Sequence, residues 1–276
     1  MFTWRPDDMP AETCITFAGW LRVAVRGLFL VLVLITGVLA TVLLRAPERI
    51  LFGLGRPWTP FVTQWVCRLG LGILGIGLKT QGHPMKEPGA VVCNHLSWLD
   101  IFALNVRKRI YFVSKSEVAG WPGIGTLAKI TGTVFIARDP RQAQQQKQVF
   151  EARLLAGHKL LFFPEGTSTD GMRVLPFKST LFEAFFSPEL RHKMHIQPVS
   201  LVYTAPQGQD ARFYGWWGDM EFGPHLLKVL AQAPQGQVKI IYHPPVKVDD
   251  FPNRKALAAH VERVVRAGMP PECQQT

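Results

Sequence analysis

The chain has 276 residues, of which 47% are hydrophobic and 18% charged, against roughly 25% charged in ordinary soluble domains. It carries 31 Lys and Arg against 20 Asp and Glu, a formal net charge of +11. This balance excludes intrinsic disorder, a collagen-like repeat and a disulfide-stapled miniprotein. It points to an anionic membrane surface as partner, with nucleic acid as the rival.

Gly27 through Leu44 is free of charge over eighteen residues. As a helix it covers about 27 Å, close to the roughly 30 Å of a bilayer's hydrocarbon core. Trp20, Arg22 and Arg26 precede it and Arg45 and Arg49 follow, which suits headgroup-level anchoring at both ends. A cleaved signal peptide is the rival reading, but the lead-in is long and no A-x-A site follows. A membrane helix over 27–44 is therefore expected.

A second apolar stretch, Trp58 to Leu78, is broken by Arg68 and four glycines. It is expected to lie in the interface or to form a hairpin with the first helix. Gly70 to Gly75 formally matches a dinucleotide fingerprint, yet neither the preceding strand nor the later acidic residue is present. Small residues for close helix packing explain it better. Residues 1–80 thus form the anchoring region.

From about Gly82 the pattern changes. Ala90–Cys93, Ile110–Val113, Thr133–Ile136, Leu160–Phe163, Ile196–Tyr203 and Val238–Tyr242 read as strands. Ser97–Val106, Arg141–Ala156, Pro176–Phe186 and Lys255–Arg266 read as helices. The alternation predicts an α/β domain over 81–268, with a mixed, mostly parallel sheet flanked by helices, and a tail over 269–276. Cys14, Cys67, Cys93 and Cys273 form no C-x-x-C pair and H-E-x-x-H is absent. Free thiols are expected, with no metal and no bound redox cofactor.

Ligands of such sheets sit at the carboxyl ends of strands, and two strand ends carry polar residues. After Val91-Val92-Cys93 come Asn94, His95 and, in the first turn of the next helix, Asp100. A carboxylate there can accept the Nδ1–H of His95 and leave Nε2 as a general base. Equally, Ser97-x-x-Asp100 is a capping box, in which Asp100 only binds backbone N–H groups. The two readings stand level on the residues alone. At the second strand end, Phe163-Pro164-Glu165-Gly166-Thr167 places Glu165 at the rim. Glu165 is either a substrate ligand or a solvated loop acid, and the backbone after Gly166 is a candidate anion nest. G-x-S-x-G and the P-loop are both absent. A His–carboxylate pair without a serine nucleophile suits attack of an alcohol on an already activated acyl group, such as a thioester.

These blocks resemble the membrane-bound glycerolipid acyltransferases, which include the lysophosphatidic acid acyltransferases. Asn94-His95-Leu96-Ser97-Trp98-Leu99-Asp100 matches their N-H-x-x-x-x-D block, and Gly132 to Arg138 is similar to their second block, a strand ending in Arg. Phe163 to Thr167 is their F-P-E-G-T, and Ile196-Gln197-Pro198-Val199-Ser200 resembles the fourth block. Lys115-Ser116-Glu117, followed by Trp121-Pro122 and Gly125, fits the segment between the first two. The resemblance implies acyl transfer from an acyl carrier protein or coenzyme A thioester to a lysolipid hydroxyl. His95 would be the general base and Asp100 its orienter, Lys115 and Arg138 would contact the acceptor headgroup, and Glu165, Gly166 and Thr167 would position the acceptor.

One departure bears on the acceptor. Lysophosphatidic acid acyltransferases usually follow F-P-E-G-T with Arg, a bidentate phosphate ligand, whereas here the position is Ser168. The runs Ser168–Lys178 and Trp217–Glu221, with Pro224-His225-Leu226, resemble a bacterial branch acting on lyso-ornithine lipid, a zwitterionic lipid without phosphate. Asp219 or Glu221 would then face its ammonium group. Lyso-ornithine lipid is the expected acceptor, lysophosphatidic acid the alternative, and a non-catalytic lipid-binding protein the reading from another class. The resemblance implies a bacterial inner membrane with a cytoplasmic catalytic domain. The basic residues are spread along the chain without an RNP or recognition-helix pattern, which disfavours nucleic acid.

Overall fold

The computed structural model describes Trp4, residues 14–136 and residues 143–274. Helix α1 (Phe17–Phe52) and helix α2 (Thr59–Leu74) precede strand β1 (Gly77–Gln81). Strand β2 (Gly89–Cys93), helix α3 (Leu99–Arg107), strand β3 (Tyr111–Lys115), helix α4 (Ile124–Thr131) and strand β4 (Val134–Ile136) follow. Next come α5 (Ala143–Leu155), β5 (Leu160–Phe162), β6 (His195–Thr204), α6 (Phe222–Ala231), β7 (Gln237–Tyr242), β8 (Val246–Lys247) and α7 (Arg254–Ala267). The strands form one sheet in the order β1-β7-β6-β2-β5-β3-β4, with β8 added to β6. Pairing is parallel from β6 through β4, and β7 and β8 run antiparallel to β6. The expected mixed, mostly parallel sheet is what the chain forms.

Central strand β2 is buried on both faces, as expected of a strand covered by helices on each side. Val91 and Cys93 point into a core shared with α2, α3 and α6, which contribute Leu71, Leu74, Leu104 and Val229. Ala90 and Val92 point into a second core with α5 and α7, built from Phe150, Leu154, Val261 and Val265. All four cysteines are free thiols.

Three details depart from expectation. Pro176–Phe186 is not an α-helix; only Ser179–Phe186 coils, as a 3-10 helix. The second apolar stretch ends as a helix at Leu74, where Gly75 adopts a left-handed cap (φ 78°). Chain over 77–81 then joins the sheet beside β7, ahead of the boundary drawn at 81.

The N-terminal apolar run is a 36-residue helix, twice the length of its uncharged segment. The charged extensions have partners in the protein. Arg22 Nε donates to the Ala231 carbonyl (2.6 Å), and Arg26 Nη1 donates to those of Leu230 (2.9 Å) and Gln232 (2.7 Å). Together they satisfy carbonyls left open at the end of α6. At the other end Glu48, fully buried, accepts from the Trp58 N–H (2.7 Å), the Thr59 N–H (3.0 Å) and the Thr59 hydroxyl (2.7 Å). It thereby caps α2.

Between these ends Gly37 lies against Val66 of α2, so close that an added Cβ would sit 2.3 Å from it, and Leu30 lies beside Gly70 of α2, which itself abuts Phe102 of α3. These are the small-residue contacts expected of packed apolar helices. One flank of α1 therefore rests on the protein from Gly19 to Glu48, about 44 Å of helix. Its other flank exposes Leu21, Phe29, Leu32, Ile35, Leu39 and Leu43.

Replacing Glu48 by Ala leaves three buried donors at the start of α2 unpaired. We expect a loss of about 2 kcal/mol in stability, read by unfolding in detergent. Glu48→Gln, which keeps one acceptor, should lose less. Equal stability of wild type and Glu48→Ala would show that this cap is immaterial.

Candidate active site

The carboxyl end of β2 carries the chain into a turn stitched down on all sides. Asn94 is 2% exposed and uses both ends of its amide on β6, accepting from the Leu201 N–H (2.8 Å) and donating to the Leu201 carbonyl (2.9 Å). Asn94 thus continues the β2–β6 attachment past the last strand pair, Cys93 with Val199. The next residue, His95, is held through its main chain. Its N–H donates to Glu165 Oε1 (2.7 Å), and its carbonyl accepts the Thr169 N–H (3.0 Å). The imidazole stacks on Phe163, with centroids 4.0 Å apart and planes 11° from parallel.

Asp100 sits in the first turn of α3, entirely buried. Its Oδ2 lies 2.8 Å from His95 Nδ1 and also accepts the N–H groups of Leu96 (2.9 Å) and Ser97 (3.1 Å). The two readings of Asp100 coexist: one oxygen serves both imidazole and helix start. A carboxylate can only accept, so it favours the proton on Nδ1. His95 Nε2 then presents a lone pair on the partly exposed edge of the ring. The neighbouring His225 is no competing base. Its Nδ1 accepts the Trp98 Nε1–H (3.0 Å), and burial pushes it down to about 3, so it stays neutral.

Glu165 is not at the rim. It is 1% exposed, and its second oxygen accepts the Leu175 N–H (2.8 Å). Both oxygens are taken by backbone donors, so the carboxylate braces His95 from inside. Burial raises its carboxyl to about 8, against the pull of those two amides. Gly166 turns at φ 72°, and a Cβ there would meet the Lys178 ammonium. The Thr167 hydroxyl donates to the Ser168 carbonyl (3.3 Å). Lys115 ends β3, hydrogen-bonded in register with Ile136 of β4, on the same edge of the sheet as His95. Arg138 lies outside the described residues.

The run Trp217–Glu221, expected to carry acceptor-facing acids, follows directly on a contact with the turn. The Trp216 N–H donates to the Leu96 carbonyl (2.9 Å), and Asp219 and Glu221 are exposed just beyond it. Sequence reasoning did not single out Thr169 or the bracing role of Glu165. The spacing from His95 to the F-P-E-G-T block is long, and nothing local marks a backbone contact across it.

An imidazole backed by a buried carboxylate at a strand end is an arrangement able to move a proton in a group transfer. Residues 78–202 match the family described as Acyltransferase. Over 266 residues the chain is 55% identical to a lyso-ornithine lipid O-acyltransferase of Rhodobacter capsulatus, covering 96% of each sequence. It is 37% identical to the enzyme of the same name from Brucella abortus, over 75% of this chain and 79% of that one. The crystal structure of the 1-acyl-sn-glycerophosphate (LPA) acyltransferase from Thermotoga maritima superposes with a TM-score of 0.62 at 19% identity, over 91% of this chain and 95% of that one. The chain belongs to the acyltransferase family and is an enzyme that transfers acyl groups.

An acid whose folded pKa is raised binds its proton more tightly in the native state, so its contribution to stability falls as pH rises from about 4.5 to about 8. Glu165→Gln removes that titration. The stability difference between wild type and variant should therefore shift against the wild type from pH 5 to pH 8 in urea unfolding. A difference constant over this range would contradict the buried, protonatable Glu165.

Proposed function

We propose that the chain is a lysolipid O-acyltransferase that completes ornithine lipid, moving a fatty acyl group from an acyl carrier protein or coenzyme A thioester to the free hydroxyl of lyso-ornithine lipid. The 2.8 Å contact between His95 Nδ1 and Asp100, on a partly exposed side chain, carries the chemical part of this reading. Nε2 takes the proton of the lipid hydroxyl as its oxygen attacks the thioester carbonyl carbon. Collapse of the tetrahedral intermediate breaks the C–S bond, and the imidazolium returns the proton to the departing thiolate. Asp100 steadies the imidazolium between the two transfers.

The acceptor follows from charge. Ser168 stands where a phosphate-binding Arg is usual in lysophosphatidic acid acyltransferases, while exposed Asp219 and Glu221 follow, three and five residues on, the Trp216 that bonds the turn holding His95. An acceptor with an ammonium group and no phosphate suits that arrangement. Lys115 and Arg138 are assigned to its carboxylate or to the donor, and the turn at Gly166 and Thr167 to its backbone. Kinship with two lyso-ornithine lipid enzymes supports the same acceptor. Lysophosphatidic acid is the second reading, favoured by the fold shared with an enzyme acting on it.

The exposed flank of α1, with Phe61 and Trp65 of α2, is assigned to the bilayer. Withdrawing each such side chain from water contributes about 1.5–3 kcal/mol. Because the other flank of α1 rests on the catalytic domain, anchoring in one leaflet suits the geometry better than a free-standing span. The cytoplasmic face of the bacterial inner membrane is where acyl thioesters are available.

Two assays test this reading. Washed membranes containing the protein should acylate lyso-ornithine lipid in preference to lysophosphatidic acid; transfer to lysophosphatidic acid alone would defeat the acceptor assignment. His95→Ala should lower turnover by about 1,000-fold or more while the protein stays in the membrane fraction. Near-wild-type transfer by this variant would remove His95 from the mechanism.

A further inference from the structure

Behind the imidazole, two enclosed oxygens have no hydrogen-bond partner among the described residues: Asp100 Oδ1 and the Tyr203 hydroxyl. Tyr203 is the ninth residue of β6, two beyond the Leu201 that Asn94 holds, and so shares its face of the sheet. That face packs against the core containing Leu99 and Leu104 of α3, the helix that carries Asp100. A carboxylate oxygen only accepts and a phenol can donate. Burial and the facing Asp100 carboxylate hold Tyr203 firmly in its protonated, donating form. Two such groups left unpaired side by side would each forfeit a hydrogen bond that the other is able to supply.

We infer that Tyr203 donates its hydroxyl proton to Asp100 Oδ1, directly after a small rotation of the phenol or through one bridging water, and is a positioning residue for the His95–Asp100 pair. With His95 and two amides on Oδ2, the carboxylate is then gripped at both oxygens and cannot swing away from the imidazole. The bond also draws charge from the carboxylate, so the imidazolium formed during turnover is stabilised less and returns its proton to the leaving thiolate more readily. The other ionisable groups facing this cluster are Cys93 at the end of β2, Glu165 from the turn after β5 and Tyr214 from the segment before α6. Burial and the nearby carboxylates keep Cys93 as a neutral thiol. The Tyr214 hydroxyl is already engaged, donating to Gln235 (2.7 Å) and accepting the Gly236 N–H (2.7 Å).

The inference rests on the reading of His95 as the base, and its test separates the two. Tyr203→Phe in the full-length protein, compared with wild type and Tyr214→Phe, is followed by two measurements: NMR titration of the isotope-labelled His95 imidazole, and kcat and KM for lysolipid across pH. Removal of the donor should lower kcat about tenfold with little change in KM. It should raise both the His95 titration midpoint and the acid limb of kcat/KM by about half a pH unit or more, since the carboxylate regains charge. Tyr214→Phe should leave the His95 midpoint in place. Where Phe at 203 loosens the fold, 3-fluorotyrosine at that position, a stronger donor of nearly the same shape, should move the midpoint downward. A midpoint that stays put in both Tyr203 variants overturns the inference. A midpoint that moves in a protein transferring no acyl group to any lysolipid upholds the contact and defeats the function proposed for it.

Discussion

Asp100 Oδ2, fully buried, receives three donors at once, an imidazole nitrogen and two backbone amides. A buried carboxylate survives only when its charge is met in this way. The same three contacts fix the turn between β2 and α3, start the helix and select the imidazole tautomer. Structure and chemistry at this turn are one hydrogen-bond network, so neither can change without the other.

Everything nearby keeps that network rigid. Glu165 and Thr169, both C-terminal to β5, grip the His95 main chain from its two sides, and Phe163 lies flat against the ring. Asn94 ties the preceding residue to β6. An imidazole held in this way through its own backbone is preorganised. The anchor is joined to the same frame: Arg22 and Arg26 of α1 close the end of α6, while His225 of α6 accepts from Trp98 at the start of α3. An apolar flank of about 44 Å is thereby joined to the element that carries His95.

The parts legible in the sequence were those with strong local contrast. The buried runs Ala90–Cys93 and Val238–Tyr242 read as strands because apolar β-formers fill them, while Asp100 reads as a partner of His95 only through the family resemblance, the residues alone leaving a helix cap equally open. Strand β1 escaped notice because it is an edge, with only Leu78 part-buried among five residues. Helix α4 has eight residues between two glycines, too few to show a period. The length of α1 was hidden by Arg22, Arg26, Arg45 and Glu48, which break the apolar run. Arg22, Arg26 and Glu48 find their partners at helix ends in other elements, invisible to a local reading, while Arg45 pairs with Glu48 inside α1 itself. Glu165 was misplaced for the same reason: a carboxylate after Pro and before Gly reads as a rim residue, and only the fold brings two amides to it from 70 residues upstream and 10 downstream.

With Asp100 Oδ2 able only to accept, His95 keeps its proton on Nδ1 and leaves Nε2 bare. Nitrogen-15 NMR of the labelled imidazole in the full-length, detergent-solubilised protein, above the pH at which the ring titrates, reads this directly. The expected result is a protonated Nδ1 and an unprotonated Nε2, with the Nδ1 proton shifted downfield by the carboxylate. A resting enzyme with the proton on Nε2 and a bare Nδ1 would contradict it.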